Sequence, residues 1–269
     1  MEKVVVIVQA RMSSSRLPGK IMMPVLGKSL LARMIERLQM VRHEVMIIIA
    51  TSVNAEDDII EQEAAMLGLP CYRGSSHNLL ERHYMAAIKH NADVVLKIPS
   101  DCPLIDPRII DKTLDLFFEK RGEYDYVSNL HPASWPDGND VEIMTMPCLE
   151  KTWQLAERPL ELEHTTPYIW ENPLQFNIGN VSWNSGLDYS MSHRFTIDYK
   201  EDYDFIARVY EELYPDNPSF SCEDILNLLT EKTEIYELNA AYAGVNWYRH
   251  HLDELNTISS HQTKIISPN

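Results

Sequence analysis

The chain has 269 residues, 45% of them hydrophobic, enough for one large α/β domain or one domain with an insertion. Its formal net charge of −16 argues against general binding to nucleic acid or to anionic membranes. With no signal-peptide pattern and no apolar run long enough to span a bilayer, the expectation is a soluble cytoplasmic protein.

Residues 4–8 are all apolar, as in a strand buried on both faces. The chain then turns polar and basic: Arg11, Arg16 and Lys20 stand beside three serines and Gly19. Such a loop can hold a polyphosphate through backbone N–H groups, hydroxyls and offsetting cations. Its composition suits a solvated strand-to-helix connection equally well. Gly27-Lys28-Ser29 imitates the end of a P-loop, but the position where that motif needs its first glycine is Met22, so the Walker geometry is not encoded.

Ser29 caps an expected helix over 29–41, with Leu30, Leu31, Met34, Ile35, Leu38 and Val41 on one face. A buried strand over 45–50 follows, then a helix over 54–67 with acidic residues in its first turn and Gly68 after its end. A short strand reaches Tyr72, and Asn78 can cap the next helix. The strand over 94–98 leads into Asp101 and Pro103, and Asp106 and Pro107 open a further helix. Alternating strands and helices predict a doubly wound, mostly parallel sheet with helices on both faces. Asp101 lies just past a central strand, at the edge where such sheets bind ligands, although an aspartate in a Pro-rich loop also forms turns.

The second half is less regular. Strands are expected over 125–128 and 141–145, a helix from Pro147, a strand over 194–198, and helices over 201–213 and 222–229. Residues 131–191 break the alternation and read as an insertion within one domain spanning 1–242. Residues 243–269 read as a weakly patterned, partly mobile tail. Cys71, Cys102, Cys148 and Cys222 are widely spaced and suggest neither a zinc site nor a disulfide framework.

Four segments occur in order: QARMSSSRLPGK, RGSSHNLLERHYMAA, SDCPLIDP and RFTIDYKEDYDFI. Together with DGNDVEI and EHTTPYI, they resemble the spore-coat polysaccharide biosynthesis protein F family of cytidylyltransferases. That family is similar to CMP-sugar-acid synthetases such as acylneuraminate and 3-deoxy-manno-octulosonate cytidylyltransferases. The resemblance runs from about residue 4 to residue 213. It implies a nucleotide-diphospho-sugar transferase-like fold, CTP as donor with Mg²⁺ as cofactor, and transfer of CMP to a small anionic sugar-like acceptor with release of pyrophosphate. The setting it implies is surface polysaccharide biosynthesis.

Carried over residue by residue, Arg11, Ser14, Arg16 and Lys20 would contact CTP phosphates, with Gln9 and Ala10 near the nucleoside. The turn of Arg73, Gly74 and Ser75 would read the cytosine edge, with Arg82 pointing back to the site; a plain turn and an exposed helix arginine are the alternatives. Ser100 and Asp101 would also touch the nucleotide. Asp101 and Asp198 would bind the metal and, with Arg11 and Lys20, form the catalytic set. Acceptor contacts fall to Asp137, Asn139, Asp140, Glu142, His164, Thr165 and Thr166, against the alternative of solvated loop charge for the acidic members. No residue stands out as general base.

The chain departs from the pattern at two places. Lys97, Ile98, Pro99 and Ser100 stand where the family usually has an arginine and a threonine, and Leu162 where an arginine is common. Both put acceptor contacts in doubt more than nucleotide chemistry. A glycosyltransferase using a nucleotide sugar, or a non-enzymatic nucleotide-binding protein, are rival readings; Asp101-Cys102-Pro103 lacks the DxD pairing of many glycosyltransferases. In related synthetases an insertion at 131–191 builds a dimer, and Trp135, Trp153, Trp170 and Trp183 suit either such an interface or a cover for the chain's own sheet.

Overall fold

An unbroken apolar run such as VVVIV can be satisfied only between two layers of helices, and β1 (Val4–Gln9) lies inside a seven-stranded sheet in the computed structural model, which describes residues 2–266. Val4, Val6 and Val8 join one core, and Val5 and Ile7 the other, as the two-residue period of a strand requires. A small hairpin, β2 (Pro24–Val25) with β3 (Lys28–Ser29), precedes α1 (Leu30–Leu38), whose N-terminus is capped by Ser29 Oγ accepting from Ala32 N at 3.0 Å. The chain continues as β4 (Val45–Ser52), α2 (Asp58–Met66), β5 (Cys71–Gly74), α3 (Leu79–Lys89), β6 (Val94–Pro99) and α4 (Pro107–Glu119). Asn78 and Asp106 cap α3 and α4 with their side chains, as their positions before the helices predict.

The second half comprises β7 (Tyr126–Ser128), β8 (Glu142–Thr145), α5 (Met146–Leu155), α6 (Pro159–His164), α7 (Pro167–Trp170), β9 (Ile178–Asn180), α8 (Lys200–Leu213), α9 (Cys222–Glu231) and α10 (Thr233–Glu237). Strand order is β5-β4-β1-β6-β8-β7-β9. Strand β8 pairs antiparallel with both β6 and β7, and every other pairing in this sheet is parallel.

Three expectations change here. Residues 131–191, expected as an insertion that interrupts the alternating pattern, supply two strands of the main sheet, β8 and β9, which flank β7. The strands expected over 125–128 and 141–145 are β7 and β8, whereas the three-residue β9 carries too little periodicity to be read from sequence. Residues 194–198 form no strand. Apart from one bridge between Arg194 and Asp137, this segment docks onto two loops, with Ile197 N donating to Asp101 O at 2.9 Å and Phe195 N to Asp137 O. The tail is not loose over its described part: Val245, Leu255 and Ile258 are buried, while 267–269 lie outside the described residues.

The four tryptophans are partnered within the chain. Trp135 stacks on Trp183 (4.5 Å between centroids), Trp153 on Tyr84 (4.3 Å) and Trp170 on His131 (4.5 Å). They cover the chain's own surfaces, so they no longer argue for an interface.

Candidate active site

Strands β4 and β6 flank β1 on opposite sides, so the crossovers leaving β1's neighbours diverge there. A crevice opens at the carboxyl ends of strands at such a switch point. Gln9 is in register with Pro99, which sets Gln9 and Ala10 beside Ser100 and Asp101 at the rim. The cleft above them has a volume of about 1250 Å³ and is walled by the first loop, by 129–142, by the end of α6, by 188–198 and by the tail.

The first loop is held open by groups that its own composition does not reveal. Met12 N donates to Asp57 Oδ1 at 2.7 Å, and Asp57, fully buried, also accepts from Ser52 Oγ. Gly19 takes φ +70°, the left-handed turn that delivers Lys20 into the cleft. Lys20 Nζ then donates to Asp198 Oδ1 at 2.9 Å, to Asp101 Oδ2 at 3.3 Å and to Ile197 O at 2.6 Å. Burial works to lower the Lys20 pKa, but the two carboxylates outweigh it and hold the ammonium charged.

Asp198 sits among three cations. Its Oδ1 meets Lys20 and Arg16 Nη2 (2.6 Å), and its Oδ2 meets Arg194 Nη2 (2.9 Å). Burial alone would raise its pKa, but Lys20, Arg194 and Arg16 pull it well below the usual carboxylate range. Arg194, 1% exposed, also binds Asp137 Oδ2 at 3.1 Å and Asp202 Oδ1 at 2.9 Å, and donates to Val245 O at 2.7 Å. Asp202 in turn accepts from the backbone N–H of Asp198 and Tyr199, opening α8. Gly138 lies against this segment so closely that a Cβ there would stand 2.5 Å from Thr196 N. DGND is therefore a contact surface for RFTID as much as a turn. Arg194, Asp202 and Asp57 were not among the site residues expected from sequence; the RFTID and KED letters carry the first two, and nothing local marks Asp57.

The structure brings Gln9, Ala10, Arg11, Ser14, Arg16, Lys20, Arg82, Ser100, Asp101, Asp137, Asn139, Asp140, Glu142, His164, Thr166 and Asp198 to this one cleft. It does not bring Arg73, Gly74, Ser75 or Thr165 to its walls. The Arg73 guanidinium binds Asp58 (2.6 Å) and Glu61 (3.0 Å) of α2 and the carbonyls of Ser52 and Asn54, tying β5 to α2 instead of facing a base. Ser75 Oγ accepts from Asn78 N and its carbonyl accepts from Arg82 Nη1. Arg82 is buried, and burial followed by the neighbouring Arg11 lowers its pKa to about 10. Thr165 takes φ +73° and ψ −50°, with Thr166 N donating to His164 O at 2.9 Å, which is the rare γ-turn. That turn sends Thr165 into the core and leaves His164 and Thr166 on the cleft wall. Asn139 reaches the cleft, but its amide is committed to loop carbonyl and N–H groups at Pro136 and Asp106.

The far end of the cleft is differently charged. Lys97 on β6 pairs with Glu142 on β8, and Glu142 also accepts from Tyr126 OH at 2.7 Å. Burial would raise Glu142, but Lys97 outweighs it and keeps the carboxylate ionised. Asp140 carries no ion pair among the described residues; burial and then Asp101 raise its pKa to about 6. Burial, then Lys97 and His251, lowers His164 to about 3, so its ring is neutral.

Among the described residues no three His, Cys, Asp or Glu side chains form a metal cage. Mg²⁺ bound to a polyphosphate needs only one or two carboxylates. Asp101 fits that role, being partly exposed with a single long ion pair, whereas both oxygens of Asp198 are already taken by cations.

A family model described as cytidylyltransferase matches residues 5–244. Spore coat polysaccharide biosynthesis protein SpsF of Bacillus subtilis is 26% identical over 242 residues, covering 87% of this chain and 97% of that protein. A 3-deoxy-manno-octulosonate cytidylyltransferase of Chlorobium limicola is 34% identical over 115 residues, 42% of this chain and 45% of its own length. The structure of a cytidylyltransferase from Leptospira borgpetersenii superposes with a TM-score of 0.82 at 33% identity, over 88% of this chain and 97% of that one.

Proposed function

The chain belongs to the cytidylyltransferase family, and on that premise we propose that it transfers CMP from CTP to a hydroxyl of a sugar acid or related anionic acceptor, for polysaccharide biosynthesis. Family membership makes it a nucleotidyltransferase and displaces the glycosyltransferase and non-enzymatic readings. The observation that carries the proposal is the placement of Arg16 and Lys20 of the first loop at one end of the cleft beside Asp101, in a loop suited to a triphosphate. The acceptor oxygen would attack the α-phosphorus while the bond to the pyrophosphate oxygen breaks, and the hydroxyl proton would pass to a carboxylate. Asp140, unpaired and raised to about 6, is suited to accept it. Mg²⁺ held by Asp101 and the phosphate oxygens would screen the triphosphate charge. Lys20 would meet the charge that develops on the leaving pyrophosphate.

The nucleotide is tested by thermal shift. CTP with Mg²⁺ should raise the melting temperature more than ATP, GTP or UTP, since a ligand that binds only the folded state stabilises it. Equal shifts from all four would sink the choice of CTP. Pyrophosphate release against a panel of sugar acids then identifies the acceptor.

Assembly is a second part of the proposal. The tryptophans of the 131–191 region are internally partnered, so a two-fold dimer through this region rests on the family resemblance. Light scattering at micromolar concentration should report twice the 31.1 kDa chain mass. A monomer at that concentration would end this reading.

A further inference from the structure

Residues 245–262 lie past the end of the family match, and they form one wall of the cleft. They are fastened there at several points. Glu171 accepts from Asn256 N (2.8 Å) and Nδ2 (3.0 Å) and from Thr257 N (2.8 Å) and Oγ1 (2.5 Å). Arg158 donates to Glu254 O at 2.8 Å, Leu255 and Ile258 are buried, and Arg194 holds Val245 O. Four charge-assisted bonds on one carboxylate make the segment a fixed strap.

The strap carries Trp247 and Tyr248 into an aromatic wall. His164 lies flat on Trp247, 3.7 Å between centroids at 12°. His131 stacks on Trp170, and Tyr248 stands edge-on to Trp170 at 6.3 Å. Burial, then Lys97, keeps His164 near 3; burial, despite opposition from Glu142, keeps His131 near 4. Both rings are therefore uncharged at neutral pH. The cation of this end, Lys97, is already neutralised by Glu142. The opposite end gathers Arg16, Lys20 and Arg194. Those cations are themselves paired with Asp198, Asp101, Asp137 and Asp202, Arg16 being the most exposed of them, so what distinguishes the aromatic end is that it suits ring faces and hydroxyls.

Resting on the reading of the chain as a CTP-dependent transferase, we propose that the strap builds the acceptor subsite, in which Trp247 and its neighbouring rings take the uncharged, hydroxylated face of a pyranose while its anionic group points toward the partly exposed Arg16. The strap, together with His164, His131 and Trp170 of the matched region, then sets acceptor choice in this chain. Cytosine is the competing occupant of an aromatic wall, and the test separates the two.

The full chain is loaded with CDP, which fills the nucleotide site without turnover, and 3-deoxy-manno-octulosonate is the probe. Saturation-transfer NMR should show the ring C–H protons of the probe receiving magnetisation from the protein. Trp247→Leu, which keeps apolar bulk against the strap, should lower that signal about fivefold, and Trp247→Phe should retain most of it. The CTP-induced thermal shift should be the same in all three proteins. An unchanged sugar signal in Trp247→Leu, or none in the parent, overturns the proposal. Loss of the CTP shift in Trp247→Leu alone assigns the wall to the base and overturns it as well. If CTP shifts none of the three proteins, the transferase reading itself has failed, which is a separate result.

Discussion

Asp101→Asn should keep the parent melting temperature and lower turnover by about 10²- to 10³-fold, whereas Asp198→Asn should lose both activity and stability. The two carboxylates were equivalent as sequence motifs. In the structure they are not. Asp101 is a third exposed and touches one cation at 3.3 Å, so replacing its charge disturbs little besides the ligand contacts it would make. Asp198 joins Lys20, Arg16 and Arg194, and Arg194 in turn joins Asp137 and Asp202. Removing the central charge leaves buried cations short of a partner, and breaking such a pair costs about 3–5 kcal/mol. Some of that is recovered because Arg194 keeps two other carboxylates. A loss of about 5 °C or more is expected for a chain of this size. Calorimetry and pyrophosphate release on the two variants check it. A parent-like melting temperature for Asp198→Asn would show that the cluster serves ligand binding alone.

What could be read from the sequence was what is decided locally. Ser29, Asn78 and Asp106 cap their helices with side-chain bonds because the cap and the N–H it serves lie two or three residues apart. The apolar runs of β1, β4 and β6 declared a buried parallel sheet, and that sheet places the first loop and Asp101 at one edge. Arg73 misled because its partners, Asp58 and Glu61, reach it only across the β4–β5 pairing. RFTID has the letters of a strand, yet its backbone bonds go to Asp101 and Asp137 loops, a choice that no local pattern encodes. Thr165 stands inside a matched motif, but its γ-turn reverses which neighbour faces the cleft. The strap was least legible: Leu255 and Ile258 are too sparse to show a period, and Trp247 gains its meaning only from His164, which lies on α6.

Acidification from pH 7 to 4.5 should destabilise the fold through its buried histidines, and His83→Leu should remove part of that loss. His83 is fully buried on α3, with Nδ1 donating to Leu79 O at 2.9 Å and Nε2 without a partner. Burial holds it to about 3, against about 6.5 in an unfolded chain. With the folded value depressed, the unfolded chain binds more protons below pH 6.5, so stability is complete above that pH and declines as pH falls toward 3. At pH 4.5 the histidine contributes a loss of about 2–3 kcal/mol. His164 and His131, lowered to about 3 and about 4, act with the same sign and to a smaller extent, because both are partly exposed. Asp140 opposes them: raised to about 6, it protonates first in the folded state and adds stability as pH falls. The absolute slope is therefore a sum of opposing groups, and the difference between variant and parent isolates His83. Leucine removes the proton-binding ring while keeping an apolar side chain at a fully buried position of α3. The melting temperature of His83→Leu should fall less steeply than that of the parent between pH 6.5 and 4.5. Parallel curves would mean that His83 takes up no proton on unfolding, and the burial argument for it would be wrong.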